Sequence, residues 1–568
     1  MNKLFGTIIF CLAFLCLKTY AQKPVEITPV TDTVSIVNIL HADRLGFSKR
    51  DTANVIQFAA GKVEAQQNNT MFYSDSAVMN QQKKIFEAFG NVHINDRDST
   101  DTYAQYMRYY FEKKLAILQK NVRMTDGKSV LTTQELEYDL NQKVGIYKKG
   151  GKVVNGESVL TSTEGTYYDD LKDVFFRKNV VLIDPKYKLY ADSLLYNTES
   201  EIATFIGPTK IIDSSGREIT TSEGFYDTKN RIANFLGRPV IKDPKTRTFI
   251  SGDDLFTDDN TGLSTIRGNG VYVDTAAGVS VLANLMISDR RSNTLMATLN
   301  PLMIIKQEED SIYVTADTLF SGRLSDSVAV DSAGVLKDTA ISSDSSFLSK
   351  DSAVTSEKPA KDTLSKVTSI ALNNNEADSN ANRYFQGYHN VRIFSDSLQA
   401  VADSLFYSGR DSIFKLFKDP VVWANMNQIT GDTIYLFTKN KKAERLYVFE
   451  SGMVINKSDN NLYNQIRGNT LNGYFKDGAM DFMKAKGNAE SIYYVKDEDS
   501  AYIGVNRTTA DVIDLYFKEK ELNKVVYRND VQGTTIPFRQ VKFDEMRLRN
   551  FKWLEDRRPK SKYELFGN

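Results

Sequence analysis

Gly90-Asn91-Val92-His93-Ile94-Asn95 alternates polar and apolar side chains behind a glycine. That period of two belongs to a strand with one dry and one wet face. The same Gly/Asn-x-Val-x-aliphatic element returns about every 30 residues, the mark of a repeat architecture. It recurs at Asn121, Val122 and Met124, then near Gly151, Asn179, Gly207, Gly237, Gly270 and Asn300. After a gap it resumes near Asn390, Asp419, Gly452, Gly487 and Asn529. Upstream of most copies stands a second element, Ala/Gly-Asp/Asn-x-Leu/Ile, as in Ala191-Asp192-Ser193-Leu194, Ala316-Asp317-Thr318-Leu319 and Gly431-Asp432-Thr433-Ile434.

Each unit holds two runs rich in Tyr, Phe, Val, Ile and Thr, parted by a polar turn such as Asn197-Thr198-Glu199-Ser200. A hairpin of this kind cannot bury its apolar face alone, so about thirteen stacked repeats predict an all-β array of two facing antiparallel sheets. With strands about 4.8 Å apart, each wall is expected to be roughly 60 Å long. Gly at the head of the second strand is read as a bend, and the recurrent Asp or Asn as a turn cap bonding backbone N–H groups.

The 568 residues are too many for one compact core, which agrees with a repeat array. Seventy-two basic side chains balance 72 acidic ones, which excludes a globally basic nucleic-acid binder. Any anionic ligand must therefore be met by local groups. Residues 1–21 read as an export signal, with Lys3 ahead of an apolar run to Leu17 and Thr19-Tyr20-Ala21 before Gln22. Both cysteines, Cys11 and Cys16, fall within it, which leaves no thiol chemistry beyond.

Residues 22–39 are a short lead and 40–323 the first run of repeats. Residues 324–382 are Ser-, Asp-, Ala- and Lys-rich, and are predicted to be a disordered insertion. The repeats continue over 383–530. Residues 531–568 form a charged tail in which Phe543, Met546, Leu548, Phe551 and Leu554 have roughly helical spacing, predicted to cap the last exposed strand.

Catalytic signals are lacking. His41, His93 and His389 are the only histidines, and the last two sit on or beside the repeated strand element. Asp258, Asn260 and Gly262 faintly resemble a calcium loop but lack its closing Glu and read as a hairpin turn. No metal, cofactor or enzymatic reaction is expected.

The Gly-Asp-Thr-Ile and Ala-Asp-Ser-Leu-x-Tyr motifs, with Gly-x-Val-x-aliphatic strands behind an export signal, resemble the organic-solvent-tolerance (OstA)-like family. The resemblance covers most of 40–320 and 384–530. It implies an elongated, open β-jelly roll in the periplasm, peripheral to the outer membrane, that shields the acyl chains of lipopolysaccharide. It further implies edge-strand pairing with other transport proteins of the inner and outer membrane, self-association, and no nucleic-acid partner. Lining residues are expected on the repeated strands: Val92, Ile94, Val122, Met124, Val180, Leu182, Val271, Val273, Val391 and Ile393. Arg123, Lys210 and Arg392 near strand ends are candidates to meet lipid phosphates. The competing expectation is a non-catalytic structural or adhesive β-solenoid, for which three strands per coil is the signal.

Overall fold

A computed structural model describes residues 36–49, 55–96, 100–306, 311–324 and 382–565, apart from turn positions 425, 440, 441, 459, 460, 477 and 520. The predicted export signal and nearly all of the 324–382 insertion lie outside the described residues. Two compact units are present: residues 1–127 with 132–144, and residues 128–131 with 145–568.

Both units use one device. In the second unit the strand Asp173–Ile183 pairs through its first half with Glu164–Tyr168 and through its second half with Ser158–Ser162. Its register against Tyr187–Asn197 shifts between Arg177 and Val180. Each long strand thus serves two sheets, changing from one to the other at a mid-strand bulge. The first unit repeats this in Val55–Gln67, which pairs with Arg44–Lys49 before its bulge and with Asn38–His41 after it. These pairings are antiparallel, as hairpins require and a coiled solenoid does not. Each unit is all-β, a β-jelly roll.

The bulge explains the first sequence landmark. Two successive residues adopt positive φ at Gly90 and Asn91, Lys120 and Asn121, Lys178 and Asn179, Gly268 and Asn269, and His389 and Asn390. This left-handed conformation is free for Gly and tolerated by Asn, but disfavoured by other L-residues. Gly90 also has no room for a side chain, since a Cβ there would run into the Asp75 carboxylate.

The recurrent Asp or Asn is the partner of that corner. Its backbone N–H donates to the carbonyl of the first left-handed residue one strand on: Asp253 to Gly268 at 2.9 Å, Asp317 to His389 at 3.0 Å, Asn469 to Gly487 at 2.9 Å. Its carboxylate accepts from the side-chain amide of the second, as in Asn269 to Asp253 at 2.7 Å and Asn390 to Asp317 at 3.0 Å. This corrects the expectation that the motif acid caps backbone N–H groups. Other acids do that, at the hairpin turns: Asp243 accepts from Lys245 and Thr246, and Asp258 from Asn260, which makes the calcium-like stretch a turn.

The array is continuous across residues 325–381. Thr318–Arg323 pairs with Arg383–Phe394 from Thr318↔Tyr388 to Arg323↔Arg383, so the insertion joins two neighbouring strands of one sheet.

The tail differs from its expectation. It contains short 3-10 turns at Phe538–Gln540, Phe543–Glu545, Glu555–Arg557 and Lys562–Leu565. It does not stop at the last strand. Met546 and Leu548 pack with Met453, Ile455, Ile492 and Tyr494, and Leu554 packs on Val401, Val421 and Trp423. Further back, Arg392 donates to the Glu564 carbonyl, and Lys562 lies over the Tyr313 ring. The tail therefore straps the outer face of the sheet that contains Val421–Ala424, Gly452–Lys457 and Tyr463–Gly468.

Candidate functional site

Behind each corner the first residue of the new half-strand points between the two sheets and alternate residues follow it. Val92, Ile94, Val122, Met124, Val180, Leu182, Val391 and Ile393 occupy such positions and are buried. Val271 and Val273 do not. Here Gly270 takes the first inward place, so Tyr272 and Asp274 follow it inward while the valines fall on the other face and are only half-buried. Tyr272 stands in one cross-strand row with Ile219, Ile241, Ile250, Val281 and Met303, all facing the interior. The sequence pattern missed this register because a glycine replaces valine at the landmark.

The opposite wall carries a row that runs Tyr226, Ala233, Thr257, Ser264, Ser288, Leu295. It continues through Ser321 to Phe385, Tyr407, Phe414, Leu436 and Leu446. In the later part of the row, rings fill the interior: Phe385 and Tyr407 stack at 4.8 Å, and Tyr407 meets Phe414 at 4.4 Å. In the earlier part, four consecutive rungs are Ala, Thr, Ser and Ser. Small side chains there leave space that large ones fill elsewhere.

That space is a cavity of about 960 Å³ between the two walls of the second unit. Its apolar lining is Ile241, Ile250 and Tyr272 from one wall and Leu255, Ile266 and Leu295 from the other. Burial pushes the Tyr272 hydroxyl above its ordinary range, so it is a neutral hydrogen-bonding group there. Its mouth is charged, with Arg217, Lys245, Arg247, Arg290, Arg323 and Arg383 against Asp243, Asp274 and Asp289. A chain of zero formal net charge thus concentrates cations at one opening. The arrangement offers a half-open chamber of mixed polar and apolar lining with a largely cationic rim. Among the described residues no cluster of His, Cys, Asp and Glu suited to a metal ion occurs.

The other candidates have local duties. Arg123 lies over the Tyr103 ring, Lys210 pairs with Glu218 at 2.8 Å, and Arg392 holds the tail. His93 stacks on Tyr103 at 4.4 Å and bonds Asp101 at 2.8 Å, and His389 is the first residue of a corner.

The family model described as OstA-like protein matches residues 34–192. That segment is OstA-like. Among solved structures, this chain is similar to LptH of Pseudomonas aeruginosa, described as the LptA homologous periplasmic component of the lipopolysaccharide transport device. The identity is 15%, over 18% of this chain and 79% of that one, with a TM-score of 0.17. No curated protein matches. The cavity lies beyond the OstA-like segment.

Proposed function

We propose that this chain is a non-catalytic, periplasmic lipid carrier of the lipopolysaccharide-transport class, holding acyl chains between the two walls of its jelly roll. The observation that supports this reading most directly is the cavity beside Ser264 and Ser288, lined by Ile, Leu and Tyr side chains from both walls. Each methylene moved from water into such a chamber contributes about 0.8 kcal/mol, so a modest length of hydrocarbon is enough to retain a lipid. Similar apolar rungs on neighbouring strands make successive positions nearly equal in energy, which permits stepwise movement. The direction of transport must be supplied by a partner that hydrolyses a nucleotide. Partner proteins of the inner and outer membrane join through edge strands, whose unpaired N–H and C=O groups accept another strand. The half-strand Gln532–Pro537 is one exposed edge of the second unit.

The test is site-specific photocrosslinking with purified lipopolysaccharide. A photoreactive residue at Ser264, facing the cavity, is expected to label strongly. One at Val271, on the outer face of the opposing sheet, is expected to label weakly. Equal labelling at the two positions removes the carrier reading.

A further inference from the structure

The rim of the cavity is unevenly satisfied. All three carboxylates are engaged by hairpin turns: Asp243 by the Lys245 and Thr246 N–H groups, Asp274 by the Ala277 N–H at 2.9 Å, and Asp289 by the Arg291 N–H at 2.8 Å. Of the arginines, Arg217 pairs with Asp213 at 2.9 Å and Arg290 with Asp259 at 3.1 Å. Arg247 and Arg323 make no ion pair among the described residues. Arg383 hydrogen-bonds the Tyr272 hydroxyl and comes no nearer than 4.0 Å to Asp274, while its Nε is buried without a hydrogen-bond partner. A buried guanidinium N–H left unbonded is costly, and a folded chain tolerates it where a ligand completes it.

We infer that Arg247, Arg323 and Arg383 form a recognition site for a phosphate monoester at the mouth of the cavity. This inference rests on the carrier reading and specifies the head group that accompanies the buried chains. The planar guanidinium fork bonds two phosphate oxygens at once, which an ammonium does not. Three such forks beside that apolar lining fit a lipid whose phosphate emerges where its hydrocarbon enters. Tyr272, beneath Arg383, adds a neutral hydroxyl at the junction of the two regions. Arg323 and Arg383 stand on the strands that flank residues 325–381 and Arg247 in the turn before Thr248–Ser251, all outside the OstA-like segment, so the site is a property of this longer chain.

The test compares binding of the full exported chain to three probes: phosphatidic acid and diacylglycerol of the same acyl composition in non-ionic detergent micelles, and inorganic phosphate. Phosphatidic acid is expected to bind at least about tenfold more tightly than diacylglycerol, the value of one or two charge-assisted hydrogen bonds. In the double variant Arg247→Gln/Arg323→Gln the ratio of the two affinities is expected to fall towards one. Both side chains are exposed, so the fold is retained, and an unchanged circular-dichroism melting curve checks this. Arg383→Lys keeps the charge and loses the fork, and is expected to give an intermediate ratio. Equal affinity of the wild-type chain for both lipids overturns the phosphate site and leaves the carrier reading standing. Binding of inorganic phosphate alone, abolished in the double variant, assigns the site to the free ion and overturns the carrier reading instead. If no probe binds, both fall.

Discussion

Asn390 shows how much of the architecture rests on single residues. It stands at φ 53°, following His389 at φ 58°, and its amide donates to both oxygens of Asp317 at 3.0 Å. Asn390→Val puts a β-branched side chain in the left-handed region and removes both hydrogen bonds, so a loss of about 2–3 kcal/mol is expected. Asn390→Gly keeps the backbone and loses only the side chain, at about 1 kcal/mol. Urea denaturation of the two variants separates conformation from hydrogen bonding. A second corner acid, Asp403, has its carboxyl held down to about 2, first by the Ser404 hydroxyl and then by His389. Its folded pKa lies below the unfolded value near 3.8, so its contribution is full above that value and fades as pH falls towards about 2. Asp403→Asn is expected to flatten acid unfolding within that window, measured as the melting temperature against pH. The positions of these corners were legible because Gly, Asn and Asp are the residues that tolerate the conformation. What the motif acid bonds was not, because its partner lies one strand away in space.

The tail shows what one element can hide. Three glutamines, Gln399, Gln428 and Gln465, stand on the outer face in one cross-strand row and alternate with Trp423 and Ile455. Gln428 donates to the Lys552 carbonyl and accepts from the Leu554 N–H, both at 2.7 Å. Gln465 does the same for Met546 and Leu548, at 3.0 and 2.8 Å, while the Gln399 carbonyl accepts from Arg558. Side-chain amides thus take the place of a missing strand, and the apolar residues between them hold the tail's side chains. Gln428→Leu leaves a buried carbonyl and N–H unpaired, so the tail is expected to be bound more weakly by about 2–4 kcal/mol. Faster cleavage between 541 and 565 in limited proteolysis, with the strand array intact, is the expected readout. The sequence spacing looked helical for a physical reason. A chain crossing strands at about 4.8 Å intervals also presents an apolar residue every few positions. Periodicity alone does not separate that arrangement from a helical face.

At the scale of the molecule, the cavity and the insertion carry separate expectations. Ser264→Phe places a ring where Phe385 and Tyr407 stand further along the same row. It fills existing space, so it is expected to leave the melting temperature unchanged or raised while abolishing lipid crosslinking from neighbouring Ser288. Replacing residues 325–381 with a short turn is expected to change stability by less than about 1 kcal/mol, because both flanking strands already pair and loop closure depends only weakly on length. Thermal unfolding measures both variants.

By itself the sequence determined an all-β repeat, its period, the corners at Gly-Asn and Lys-Asn, and the inward place of Val92, Val122, Val180 and Val391. These follow from local rules: alternation along a strand and the torsions each residue permits. Only the tertiary structure decided that Val271 faces out, that the tail turns back over the sheet, and that four small residues far apart in sequence share one row and leave room between the walls. Those outcomes depend on which strands lie side by side. A serine that is unremarkable on its own strand becomes the edge of a cavity only when its cross-strand neighbours are small as well.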